Sequence, residues 1–178
     1  MKLIILATLL IGILSTTVYA QEQDEEKIKH HHLVVTIAHS RLFIQEDAIS
    51  GNNSLLIPTW GFNYEYLFTK KIGLGLKNDL EIAEYAIFNN EGVEVERENP
   101  FSSSIIFLYN PIEGLGFFIG PGIEFEREEN FYIFNIGVSY EVEFGKYWDL
   151  APEFSYESKG GHTGAISLGL SVGKRFGK

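Results

Sequence analysis

Trp60-Gly61-Phe62-Asn63-Tyr64-Glu65-Tyr66-Leu67-Phe68 alternates at period two. Trp60, Phe62, Tyr64, Tyr66 and Phe68 fall on one side of an extended chain, and Gly61, Asn63, Glu65 and Leu67 on the other. Successive side chains of a strand point to opposite faces. The stretch is therefore a strand with one apolar face and one wet face.

The same alternation recurs between turn signals, and it predicts strands over 32–44, 57–68, 72–86, 98–109, 115–126, 131–144, 149–159 and 164–176. Residues 69–71, 110–114 and 145–147 are short turns, whereas 45–56 and 87–97 are longer and polar. The connections 127–130 and 160–163 are brief for external loops. Short turns at one end and longer loops at the other describe an all-β, eight-stranded, antiparallel up-and-down barrel. An even strand number brings both chain ends to the same side.

A soluble barrel would show the same alternation with its faces exchanged, and volume decides between the two. One face carries Phe117, Ile119, Phe125, Phe134, Ile136, Val138, Tyr140, Val142, Phe144, Ile166, Leu168, Leu170, Val172 and Phe176. Eight strands enclose room for modest side chains only. The other face holds Gly73, Gly75, Gly120, Gly122, Gly137, Gly169, Gly173 and several serines, which suit a narrow interior. The large residues therefore face lipid, and a closed sheet pairs every backbone group, as hydrocarbon requires. Trp60, Tyr64, Tyr66, Phe68, Tyr109, Tyr140, Tyr147, Trp148 and Tyr156 fall near strand ends, where amphipathic rings form interfacial girdles.

The first 20 residues read as a cleaved secretory leader: Lys2, an apolar run from Leu3 to Leu14, then Val18 and Ala20 as the small residues before a cut. That run is too short to span a bilayer as a helix, which takes about 20 residues. A polar tail over 21–31 follows, expected in the periplasm, and the barrel occupies 32–178. The formal net charge is −10, and loss of Lys2 makes the mature chain more acidic still, so nucleic acid is not an expected partner. No cysteine is present to form a disulfide, act as a thiol nucleophile or carry a lipid anchor. Nothing in the sequence calls for a cofactor.

Projected inward, the wet face carries Glu65, Lys77, Asp79, Glu81, Glu124, Glu126, Glu141, Glu143, Glu153, Glu157, Lys159 and Arg175. A buried charge without a partner is costly, so a salt-bridge network is expected to fill the lumen. Arg175 is expected near Glu153, with Glu141 and Glu65 as alternatives; Lys77 and Lys159 are expected near Glu81, Glu124 or Glu157. Acids exceed bases, which keeps a narrow cation-permeable pore as an alternative. At the outer rim, Glu94, Glu96, Glu98, Glu126, Glu128 and Glu129 read as a solvated acidic loop region, or as ligands for a divalent ion bridging lipopolysaccharide.

The closing Ile166-Ser167-Leu168-Gly169-Leu170-Ser171-Val172-Gly173-Lys174-Arg175-Phe176 resembles the terminal strand of the small eight-stranded outer-membrane barrels of Gram-negative bacteria. That class contains the adhesion and resistance barrels and the transmembrane half of the A-type porin. Two departures stand out: Gly177 and Lys178 follow Phe176, and Lys174 interrupts the apolar face. The block from Thr59-Trp60-Gly61-Phe62 to Asp79-Leu80-Glu81 resembles uncharacterised small barrels. The resemblance implies an outer-membrane monomer, with the barrel assembly machinery, membrane lipid and lipopolysaccharide as partners.

Some barrels of this class modify lipid A with a serine and a histidine at the rim. The corresponding candidates here are His39, Ser40, Arg41 and His162, with Ser103 as another serine. Such chemistry needs a base within hydrogen-bond reach of the nucleophile and a group that orients the base. His39 and Ser40 point to opposite faces, and no deacylase spacing is present, so a non-enzymatic barrel is the leading reading. Arg41 is expected at headgroup level, and His30, His31 and His32 read as tail residues ahead of the first strand.

Overall fold

The computed structural model describes residues 29–43, 54–88, 94–127, 129–160 and 163–177. The expected leader and most of the polar tail lie outside those residues. In chain order the strands are β1 (His31–Phe43), β2 (Ser54–Leu67), β3 (Ile72–Glu81), β4 (Glu84–Phe88), β5 (Glu94–Glu98) and β6 (Phe101–Ile112). They continue as β7 (Leu115–Phe125), β8 (Phe131–Tyr140), β9 (Val142–Phe144), β10 (Trp148–Lys159) and β11 (Thr163–Phe176).

Strands β1, β2, β3, β6, β7, β8, β10 and β11 follow one another around the wall, and β9 continues β8 along β10. Pairing of β11 with both β10 and β1 closes the sheet. The result is an antiparallel, up-and-down barrel of eight staves. Both described chain ends lie at one end of it, called proximal here, with the turns β2–β3, β6–β7 and β9–β10. The opposite, distal end carries the other connections.

The faces fall as the alternation demands. Val35, Ile37, Trp60, Phe62, Leu76, Phe107, Ile119, Ile136, Leu168 and Leu170 stand exposed on the outside. Thr36, Ser40, Thr59, Asn63, Ser102, Ser104, Asn135, Ser155 and Ser171 are buried within. An exterior band of large apolar side chains around a closed ladder is the surface a bilayer solvates.

The interior is less uniformly polar than expected. Leu67, Ile106, Leu108 and Phe118 pack together inside the lumen. Gly137 makes room for them: a Cβ there would run into the Phe118 ring.

Two strand boundaries differ from expectation for local reasons. The stave expected over 131–144 breaks at Glu141. Its ladder to β10 lapses between the Ser139–Glu153 and Val142–Leu150 pairs, where Pro152 has no N–H to give. The polar loop expected over 87–97 contains strand. Beyond Glu81 the chain forms a separate hairpin, β4–β5, before returning at Phe101.

That hairpin is out of step with the wall below it. Leu80 pairs with Phe101 in the wall, but Glu84 pairs with Glu98 in the hairpin, a slip of one residue. Residues 81–83 there oppose only Asn99 and Pro100, and Asn99 breaks the alternation of the returning chain at φ 49°, a left-handed conformation that asparagine adopts more readily than most residues. A one-residue slip exchanges the faces of a strand. Arg97 and Val95 are thereby buried, and Glu96 and Glu98 are left exposed.

Candidate functional site: charge tiers in the lumen

The buried charges fall into three tiers along the barrel. At the proximal end, His32 (2 % exposed) lies between two carboxylates, its Nδ1 2.8 Å from Glu65 Oε2 and its Nε2 2.9 Å from Asp149 Oδ2. Arg175 donates to Glu141, and its Nε lies 3.6 Å from Asp149 Oδ2. Gly173 leaves the space this tier needs, since a Cβ there would collide with the His32 imidazole and the Asp149 carboxylate.

In the middle tier, Lys77 reaches Asp79 Oδ2 at 2.9 Å and Glu153 Oε1 at 3.4 Å. Its ammonium also lies 5.7 Å from the centre of the Phe118 ring.

The distal tier is the densest. Lys159 (2 % exposed) donates to Glu81 Oε1 at 2.5 Å and to Glu124 Oε2 at 2.6 Å, with Glu157 Oε1 at 3.5 Å. The three acids bring ligand oxygens within 4.8 Å of one another, a spacing that also suits a divalent ion. Here the Lys159 ammonium occupies that position.

The β4–β5 hairpin completes this tier from above. Tyr85 donates to Glu81 Oε2 at 2.5 Å and packs with Leu42, Ile57, Phe131 and Ala165. Burial pushes its phenol well above the usual tyrosine range, so the hydroxyl stays a donor. Arg97 (1 % exposed) has its Nη2 3.4 Å from Glu124 Oε1, its Nη1 2.5 Å from the Glu129 carbonyl, and its guanidinium 3.8 Å from the centre of the Phe131 ring. Asn99→Val, which disfavours the left-handed backbone at that position, is expected to turn Glu96 and Glu98 inward in place of Arg97 and to undock the hairpin. The check is hydrogen exchange: amides in 84–98 should lose protection while β1 and β11 keep theirs.

Between the tiers lie two small cavities. One of about 30 Å³ is lined by Lys77, Glu153, Glu141 and Arg175, and one of about 20 Å³ by Lys77, Asp79, Glu81 and Glu157. A water needs roughly 10–15 Å³ measured this way. Each cavity thus has room for about one to three waters rather than a column. Hydroxyls line the wall beside them: Thr36 with Ser171 at 2.8 Å, and Ser40 with Thr59 and Ser167 at 2.9 and 2.7 Å.

Glu65, Lys77, Asp79, Glu81, Glu124, Glu141, Glu153, Glu157, Lys159 and Arg175 therefore all contribute to one of the three tiers. The pairing agrees with expectation for Lys159 and for Arg175 with Glu141, and differs elsewhere: Lys77 meets Asp79 and Glu153 rather than Glu81, Glu124 or Glu157, and Arg175 meets Asp149 rather than Glu153. His32 is a lumenal residue of β1 rather than part of a tail. Its phase gives it away, since counting back by two from Thr36 through Val34 reaches it. Asp149 follows likewise from Glu153 and Ala151. Glu143 is exposed at the proximal rim, and Glu126 lies beyond the end of β7.

The rim candidates do not assemble. Ser40 is buried on the lumenal face among hydroxyls, whereas His39 is exposed on the outer face. Arg41 is also outside, its Nε donating to Ser54 Oγ at 3.1 Å and its guanidinium 5.9 Å from the centre of the Phe43 ring. Ser103 donates to Asn78 Oδ1 at 2.9 Å on the far side of β2 and β3 from His39. His162 lies outside the described residues.

Comparison with solved structures places this fold among small outer-membrane barrels. Neisserial surface protein A matches at a TM-score of 0.55 and 9 % identity, covering 82 % of this chain and 97 % of that one. The attachment invasion locus protein of Yersinia pestis, Ail, solved with the heparin analogue sucrose octasulfate, matches at 0.54 and 13 % identity, covering 84 % and 100 %. No protein-family model matches the chain, and no curated protein sequence does. The chain is an eight-stranded β-barrel of the outer-membrane type, similar in fold to those two proteins.

Proposed function

We propose that this chain works as a non-enzymatic outer-membrane barrel whose lumen is closed by its own charges. In this reading the distal loops meet lipopolysaccharide, ions or a partner, and the proximal end faces the periplasm. The observation that carries the reading is the distal tier. Lys159 there draws acids from β3, β7 and β10 to one point, with Tyr85 and Arg97 seated over them. Charges so held stay paired only while water is excluded, and the small cavities below support that.

The commitment of the Ser40 hydroxyl to Thr59 and Ser167 supports a non-enzymatic role. The ligand seen with Ail is a polyanion. On this chain's distal rim Glu84, Glu96, Glu98, Glu126 and Glu129 outnumber Arg41 and Arg127, so the same ligand is not expected here. Assembly as a monomer by the barrel machinery belongs to the same proposal.

A second reading, a cation-selective pore, draws support from the excess of lumenal acids over bases. Planar-bilayer recording of the refolded mature protein separates the two. The expected trace is silent. Steady cation-selective steps from the wild type would defeat the closed-lumen reading and favour the pore.

A further inference from the structure

The proximal rim carries a cluster that the lumenal reading leaves unused. Tyr147 and Trp148, at the β9–β10 turn, are both exposed. The Lys29 and Lys146 ammonium groups lie 5.0 and 5.5 Å from the centre of the Tyr147 ring, and that of Lys174 lies 4.9 Å from the Trp148 ring. Lys174 is the cross-strand partner of Trp148, so register fixes that contact. Among the described residues neither Lys146 nor Lys174 forms an ion pair, and both are exposed. Lys29 donates to the Gly177 carbonyl at 2.7 Å, which ties the chain ends together beneath Tyr147.

We infer that this cluster is a binding site for the headgroup of an anionic phospholipid in the leaflet at the proximal end. Aromatic rings settle at headgroup depth, and ammonium groups held on their faces are attracted to the ring quadrupole without being neutralised by it. A phosphodiester arriving at that depth meets several unneutralised cations around two adjacent rings. The site also accounts for Lys174, which the strand pattern alone would make an apolar residue. Its polarity is local, because the chain as a whole is acidic. Glu113 and Glu143 are the exposed acids of this end, and neither pairs with these lysines among the described residues. The inference rests on the membrane orientation proposed above.

Trp148 is one of only two tryptophans, so it can report on its own neighbourhood in a W60F background. That variant is reconstituted in phosphatidylcholine bilayers containing either brominated phosphatidylglycerol or brominated phosphatidylcholine, and quenching is read as relative lipid occupancy. A preference of about fivefold per lysine for phosphatidylglycerol is expected. It should vanish in W60F/K29Q/K146Q/K174Q and persist in W60F/K70Q/K71Q, whose lysines lie at the β2–β3 turn. Equal quenching by the two lipids would overturn the site. So would a preference that survives K29Q/K146Q/K174Q, or one lost equally in K70Q/K71Q, because a diffuse surface charge would then explain it. If neither brominated lipid quenches Trp148, this rim does not sit in lipid and the site fails, while the closed-lumen reading stands or falls on the conductance trace.

Discussion

Lys159→Met is expected to lower the barrel's stability by about 3–5 kcal/mol, the usual cost of removing one partner from a buried ion cluster. Methionine keeps the hydrocarbon stem and fills similar space, so lost packing contributes little. What remains is Glu81, Glu124 and Glu157 with ligand oxygens inside 4.8 Å and only Arg97, on Glu124, as a cation beside them. The sharper expectation concerns sign. Glu157→Gln in the wild type removes a carboxylate 3.5 Å from the Lys159 ammonium, and it should destabilise. In the Lys159→Met background the same change removes one of three repelling acids, and it should stabilise. Urea unfolding of all four proteins in phosphatidylcholine vesicles gives the double-mutant cycle. A Lys159→Met cost below about 1 kcal/mol would be the magnitude of an exposed pair and would mean the tier is solvated.

Much of this molecule is legible in period-two alternation, because the pleat leaves a residue no choice of side. That is why Lys77, Glu81, Glu124 and Lys159 can be assigned inward from sequence. The same rule carried back along β1 and β10 reaches His32 and Asp149. Partner identity is another matter. Arg175 and Glu141 lie on opposite sides of β10, and Lys159 reaches Glu81 from β10 to β3. Such contacts depend on strand stagger and on side-chain length, neither of which a linear pattern encodes. Arg97 is hidden more deeply still. Its inward turn depends on one left-handed residue, Asn99, that shifts the register of a short hairpin. Composition marks that segment as polar loop, and nothing local separates Arg97 from the glutamates beside it.

The double variant Lys77→Ala/Lys159→Ala is expected to convert a silent barrel into one with discrete cation-selective steps, although each single variant stays silent. Lys77 lines both cavities, so truncating it joins them into one chamber facing Asp79 and Glu153. That chamber still ends at the Lys159 tier, where ammonium and carboxylates fill the cross-section. Lys159→Ala alone opens the distal tier onto a lumen that Lys77 continues to block beside Phe118. Barriers in series conduct only when every one is lowered, and here the acids that remain make the opened path attractive to cations. Arg175 does not restore the block, because it is held aside by Glu141 and Asp149 at the proximal wall. Planar-bilayer traces of the refolded variants, with reversal potentials under a salt gradient, provide the readout. Conductance from either single variant would show that one tier alone closes the barrel, and silence from the double would place the block in the Leu67, Ile106, Leu108 and Phe118 cluster instead.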